Sequence, residues 1–425
     1  MTRTLIKGGC VLSMSQATGN HLEADVLIEG DTITDIGPSL RARDATVVEA
    51  GDTIVMPGFV DTHRHVSESL FRGLGDVFGF TDSSGSYALH YSADDLYAAT
   101  LIGLLGASEA GITTVSDWCD VNTDDSHTDA ALEAHADSGL RTVFAYGGAD
   151  SGGGRWERGL RRLAGTPAVS NTSLAAGLAE SNGDSAGWTL ARELGLRIHT
   201  HAGTSGPGAA SGLAERNMLG ADVTLIHGSH LDDDDLDAVA SAKAAMVLTP
   251  CSEQARGAPT LSVQRLIDRG IRPGLGVDTE RIAPGDLFAQ IRATISLQHA
   301  TYFDSKLAGK AGLPKLLTTR EVIRYATIDG ARAVGLGVVT GSLEVGKQAD
   351  ILVLRTDRPN IFPINDPIGA VVWGMDTSNV DWVFVAGKPV VREGAIDADL
   401  DRVRKLAATA RQQVAGASGL LMGAR

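Results

Sequence analysis

The stretch Pro57-Gly58-Phe59-Val60-Asp61-Thr62-His63-Arg64-His65 carries an apolar run straight into two histidines spaced by one residue. Side chains alternate along a strand, so both imidazoles point to the same side. At the C-terminal mouth of a barrel strand, such a pair could share one metal ion. Alone, His-x-His is a weak signal, and two polar strand-end residues are its ordinary reading.

Working outward, the same texture recurs. Short apolar runs occupy Phe59–Asp61, Ile112–Ser116, Arg141–Ala145, Leu174–Leu178, Arg197–His201, Thr224–His227, Ala245–Leu248 and Arg272–Val277. Helical patterns such as Asp94–Ala110, Asp129–Ser138 and Ala186–Gly195 fall between them. Strands alternating with helices predict parallel βα units, and eight of them suit a closed (β/α)8 TIM barrel better than an open sheet. Thr279–Leu336 is expected to complete the outer ring.

Read as barrel strands, the runs put further chemistry at one mouth. His199 and His201 end the fifth, His227 ends the sixth, and Asp278 ends the eighth. Catalytic residues in this fold gather at the C-terminal ends of several strands. Four such ends supplying imidazoles or a carboxylate agree with one another in a way that chance rarely gives. His199 lies one layer deeper than His201 on the same strand face, which suits a hydrogen-bonded core role.

Both chain ends read as short strands: Thr4–Val11, Asp25–Glu29, Thr32–Ile36 and Ile54–Met56 at one, and Asp350–Leu354, Ala370–Trp373 and Trp382–Val385 at the other. Either group alone has too little sheet to bury a core. We therefore expect one small β-sandwich domain built from residues 1–56 and 345–425, with a closing helix at Asp399–Val414, around a barrel of residues 57–344.

These motifs together resemble the amidohydrolase superfamily, and within it the cytosine-deaminase and chlorohydrolase-like branch. The resemblance rests on PGFVDTHRH at Pro57–His65, the strand end at His201, LIHGSHL at Leu225–Leu231, LGVD at Leu275–Asp278, and GSLEVGKQADILVL at Gly341–Leu354. It implies one divalent metal, zinc first and iron(II) or manganese(II) as alternatives, held by His63, His65, His201 and Asp278. It implies His227 and Asp278 as catalytic residues, with hydroxide generated on the metal attacking a small molecule. A two-metal relative bridges its ions with a carboxylated lysine on the fourth strand; no lysine lies between Lys7 and Lys243, so one metal is expected.

One position departs from the pattern. Deaminases of this branch usually carry glutamate three residues past the fifth-strand histidine, and here Thr204 stands there. A hydroxyl cannot perform that acid–base role near neutral pH. Glu68, Glu180 and Glu253 are candidates to replace it, Glu253 standing where relatives often place asparagine, and Trp118 is a candidate stacking surface for a planar substrate. Within hydrolysis of a carbon–nitrogen bond, cyclic-amide or amide cleavage competes with deamination of an amino-heterocycle. Loss of a halide, and a non-catalytic barrel that only binds, are the alternatives.

Bulk properties narrow the partners. Of 425 residues, 43% are hydrophobic and 21% charged, an ordinary globular balance. A formal net charge of −15 opposes binding to a phosphate backbone, which relies on cationic side chains. Three scattered cysteines without ligand spacing suit a reducing compartment. The opening MTRTLIKGG holds no apolar secretory core, and no apolar run reaches the roughly 20 residues that span a bilayer. The expectation is a cytoplasmic enzyme acting on a small molecule, without nucleic-acid or membrane partners, able to assemble as a homo-oligomer.

Overall fold

The computed structural model describes residues 2–74, 89–148, 154–166, 171–178, 185–203, 206–258 and 263–418. Eight parallel strands follow one another around a barrel: β6 (Phe59–Arg64), β7 (Ile112–Cys119), β8 (Arg141–Tyr146), β9 (Thr172–Gly177), β10 (Arg197–Ala202), β11 (Val223–His227), β12 (Ala245–Leu248) and β13 (Gly274–Leu275). Each pairs in parallel with the next. β6 and β7 are buried at every position, as expected of parallel strands covered on both faces.

Closure lies beside the two histidines. A parallel bridge joins Arg64 to Asp278, with Asp278 N–H donating to the His63 carbonyl at 2.9 Å and His65 N–H donating to the Asp278 carbonyl at 2.7 Å. Gly276 permits this approach: a Cβ there would lie 2.7 Å from the His63 carbonyl oxygen and 2.8 Å from its nitrogen. Both neighbours are backbone and cannot swing aside. Gly276→Ala is therefore expected to destabilise the fold by about 1–3 kcal/mol, the range for overpacking a tight interior. Chemical denaturation checks this; an unchanged midpoint overturns it.

The second sheet draws on both chain ends. β1 (Arg3–Leu12), β2 (Asn20–Glu29), β3 (Thr32–Gly37), β4 (Thr46–Glu49) and β5 (Thr53–Pro57) join β14 (Ile351–Arg355), β15 (Val380–Val385), β16 (Lys388–Arg392) and β17 (Ala395–Ile396). The seam is the antiparallel pair β5–β14, with Ile351 opposite Pro57 and Arg355 opposite Thr53. Ile6, Val26, Ile33, Val55, Ile351 and Phe384 bury a shared core. A buried ion pair fastens this sheet to the barrel. The Arg141 guanidinium donates to both carboxylate oxygens of Asp350, at 2.7 and 3.0 Å, and Asp350 also accepts from Ala386 N–H.

One predicted strand is corrected. Ala370–Trp373 belongs to the helix Pro367–Trp373, where the Asp366 side chain accepts from Ile368 N–H and proline occupies the first turn. A four-residue apolar run cannot distinguish strand from buried helix, and the cap decides it. Among the described residues, no helix is long and apolar enough to cross a membrane.

Candidate metal and active site

The ends of β6, β10 and β11, with Asp278 just beyond β13, converge at one mouth. Donor atoms of His63, His65 and His201 lie within 4.8 Å of one another, and so do those of His63, His227 and Asp278. His63 Nε2 stands 3.3 Å from His201 Nε2 and 3.4 Å from Asp278 Oδ1, while His65 Nε2 stands 3.6 Å from the same oxygen. His227 and Asp278 both adopt left-handed backbone, with φ of 70° and 66°. Non-glycine residues hold that conformation only where their surroundings enforce it, and such positions cluster at functional sites.

The charge states of His63, His201 and Asp278 suit a cation. Burial pushes the His63 imidazole down to about 3, and burial with the neighbouring His63 holds His201 well below the ordinary value. Neutral imidazoles offer lone pairs. Burial opposes ionisation of Asp278, but the Arg256 guanidinium and His63 outweigh it and hold the carboxyl well below the usual range. Burial likewise opposes charge on His65, yet Asp120, 3.5 Å from its Nδ1, overrides this and raises it to about 9. His65 must therefore release its proton to ligate a metal, and the Asp120 carboxylate on its far nitrogen then orients the ring.

Asp278 Oδ1 is buried with no hydrogen-bond partner. The other oxygen is occupied: Ser252 Oγ donates to Oδ2, and Arg256 Nη2 sits 3.0 Å from it. An orphaned carboxylate oxygen facing the neutral His63 imidazole, with His65 beside it, fits a divalent ion bound by nitrogen and oxygen donors.

The remaining predicted residues divide. His227 Nδ1 lies 3.0 Å from Thr249 Oγ1 and 3.3 Å from Glu253 Oε1, and Glu253 Oε1 also accepts from Thr249 N–H. Glu253 therefore abuts His227. Glu68 is buried and pairs with Arg281 at 3.2 Å. The Trp118 ring packs edge-on against His201, with centroids 4.3 Å apart. Glu180 and Thr204 lie outside the described residues. His199, one layer deeper, places Nδ1 3.3 Å from Ser116 Oγ.

Sequence reasoning missed Arg256, Ser252 and Asp120. Asp120 follows the last residue of β7, so the strand-end argument that found Asp278 applies to it equally. Arg256 lies three residues past Glu253, just beyond the helix Pro250–Ala255, a spacing that puts both on one helical face.

Residues 54–390 match the amidohydrolase family, and the chain belongs to that family. It is accordingly a metal-dependent hydrolase acting on carbon–nitrogen bonds other than peptide bonds. Among curated relatives, the 5'-deoxyadenosine deaminase of Methanothermobacter thermautotrophicus is 26% identical, over 94% of this chain and 96% of its own. Two solved structures share the fold. An adenosine deaminase from Xanthomonas campestris with bound zinc matches at TM-score 0.83 and 20% identity, covering 98% of this chain and 99% of its own. An atrazine chlorohydrolase from Arthrobacter aurescens complexed with zinc matches at TM-score 0.83 and 21% identity, covering 96% and 100%.

Proposed function

We propose that the protein uses one divalent ion, zinc first, held by His63, His65, His201 and Asp278, to hydrolyse a carbon–nitrogen bond of a small ring compound. The observation that carries this is the convergence of His63, His65, His201 and His227 on the mouth where Asp278 Oδ1 is orphaned, with the buried His63 imidazole held neutral. Iron(II) or manganese(II) would accept the same donors. When bound, such an ion makes water a competent nucleophile near neutral pH.

The chain's own groups do the rest. The ionised Asp278 carboxylate takes a proton from the attacking water and passes it to the departing nitrogen. His227, anchored through Nδ1 by Thr249 and Glu253, is left with Nε2 to polarise the attacked group. Deamination of an amino-heterocycle is the reading that the deaminase relatives support. Cyclic-amide cleavage is the second reading, favoured by threonine rather than glutamate at position 204. All four donor positions are filled, which argues against a barrel that merely binds. A cytoplasmic location and homo-oligomeric assembly belong to the same reading, on the sequence grounds above.

Plasma mass spectrometry of purified protein tests the metal assignment. About one zinc, iron or manganese per chain is expected, and its loss in a folded His63→Ala variant. Wild-type protein that stays folded but metal-free after metals are supplied overturns the proposal.

A further inference from the structure

Beside the cluster of His63, His227 and Asp278 lies a cavity of about 280 Å³, lined by His227, Ser229, His230, Ser252, Glu253 and Arg256 among others. It falls just below the roughly 300 Å³ at which ligand pockets begin, a size for one ring with a substituent. Arg256 is its fixed positive charge. The guanidinium is about one-third exposed, and its Nη2 lies 3.0 Å from Asp278 Oδ2.

The charges around Arg256 are arranged unusually. Glu253 lines the same cavity but makes no ion pair with Arg256; its Oε1 is tied to Thr249 N–H and His227, and the residue is 3% exposed. Among the described residues, Asp278 is thus the carboxylate that balances the guanidinium. If Asp278 also ligates a divalent cation, one carboxylate serves two cations, and among the described residues Arg256 lacks a full counter-charge at the cavity wall. A cation in such a partly desolvated place attracts an anion strongly, and the planar fork of guanidinium matches a carboxylate best.

We propose that Arg256 is a specificity-determining residue that binds a carboxylate on the substrate, so that the substrate class is a small carboxylated ring compound. This rests on the reading of the site as a mononuclear hydrolase centre. Arg256 takes the carboxylate from the cavity side, and the ring then lies over His227 with its scissile carbon toward Asp278.

Calorimetric titration of the metal-loaded protein with benzoate, and with neutral benzamide of the same shape, tests this. Benzoate is expected to bind more tightly than benzamide. Arg256→Met should weaken benzoate about tenfold to a hundredfold, the value of a charge-assisted hydrogen bond, and leave benzamide unchanged. Arg256→Lys should fall between, because it keeps the charge and loses the fork. Benzoate binding that is indifferent to Arg256→Met overturns the inference. So does an equal loss for benzoate and benzamide, which would mean a collapsed cavity. Metal content is measured on the same samples. Protein without metal sinks the hydrolase reading by itself, whereas one metal per chain with no effect of Arg256 sinks only the carboxylate.

Discussion

Asp61→Ala is expected to destabilise the protein by about 3–5 kcal/mol, the cost of stranding one partner of a fully buried ion pair. Asp61 and Arg64 are both wholly inaccessible, and Arg64 Nε donates to Asp61 Oδ2 at 2.7 Å. The other Asp61 oxygen accepts from Val277 N–H at 3.0 Å, across the seam where the barrel closes. Arg64 also donates through Nη2 to the Gly285 carbonyl at 2.6 Å, which secures the segment after Asp278. Removing the carboxylate leaves the buried guanidinium to the more distant Glu280, 3.9 Å from its Nη1, and an interior amide without its acceptor, two penalties in one substitution. Arg64→Met is the informative companion, because it leaves a buried carboxylate that protonation can neutralise and should cost less. Denaturant midpoints measure both. A loss below about 1 kcal/mol for Asp61→Ala would show that the pair does not hold the seam.

That pair lies inside the stretch that made the fold legible. Phe59 to His65 read as a buried strand because parallel barrel strands are apolar along their length, and because the mouth is the one end where polar residues are tolerated in numbers. The same reasoning placed His201, His227 and Asp278. Those positions were readable because they depend on strand ends, which are local. Arg256 was illegible for the opposite reason. It lies past a six-residue helix and reaches Asp278 along a path that only the assembled barrel defines. The β5–β14 seam unites residues about 300 apart, and nothing in either strand names its partner. The family match spans residues 54–390, and Glu253 and Arg256 stand within it past the end of a strand, on the kind of connecting segment that varies most among relatives.

Asp278→Asn should lower kcat about a hundredfold to ten-thousandfold on an amino-heterocycle that the wild type turns over, the range for losing a positioned proton acceptor. Asn keeps the size of the side chain and an oxygen that can accept from Ser252 and Arg256, so the seam beside His63 and His65 stays closed. What it loses is the negative charge that Arg256 and His63 hold ionised against burial. Neutral asparagine cannot take the proton of the attacking water or carry it to the leaving nitrogen, and the departing amine would leave as an unfavourable anion. KM should move far less than kcat, because Arg256 and the cavity wall are retained. Metal analysis of the same variant separates the two roles of this residue. A metal-replete variant with depressed kcat assigns the proton to Asp278; a metal-free one assigns the loss to ligation, and resupply of metal should then restore only part of the rate. A metal-replete Asp278→Asn enzyme within tenfold of wild-type kcat would place the proton acceptor elsewhere, with Glu253 beside His227 the next carboxylate to test.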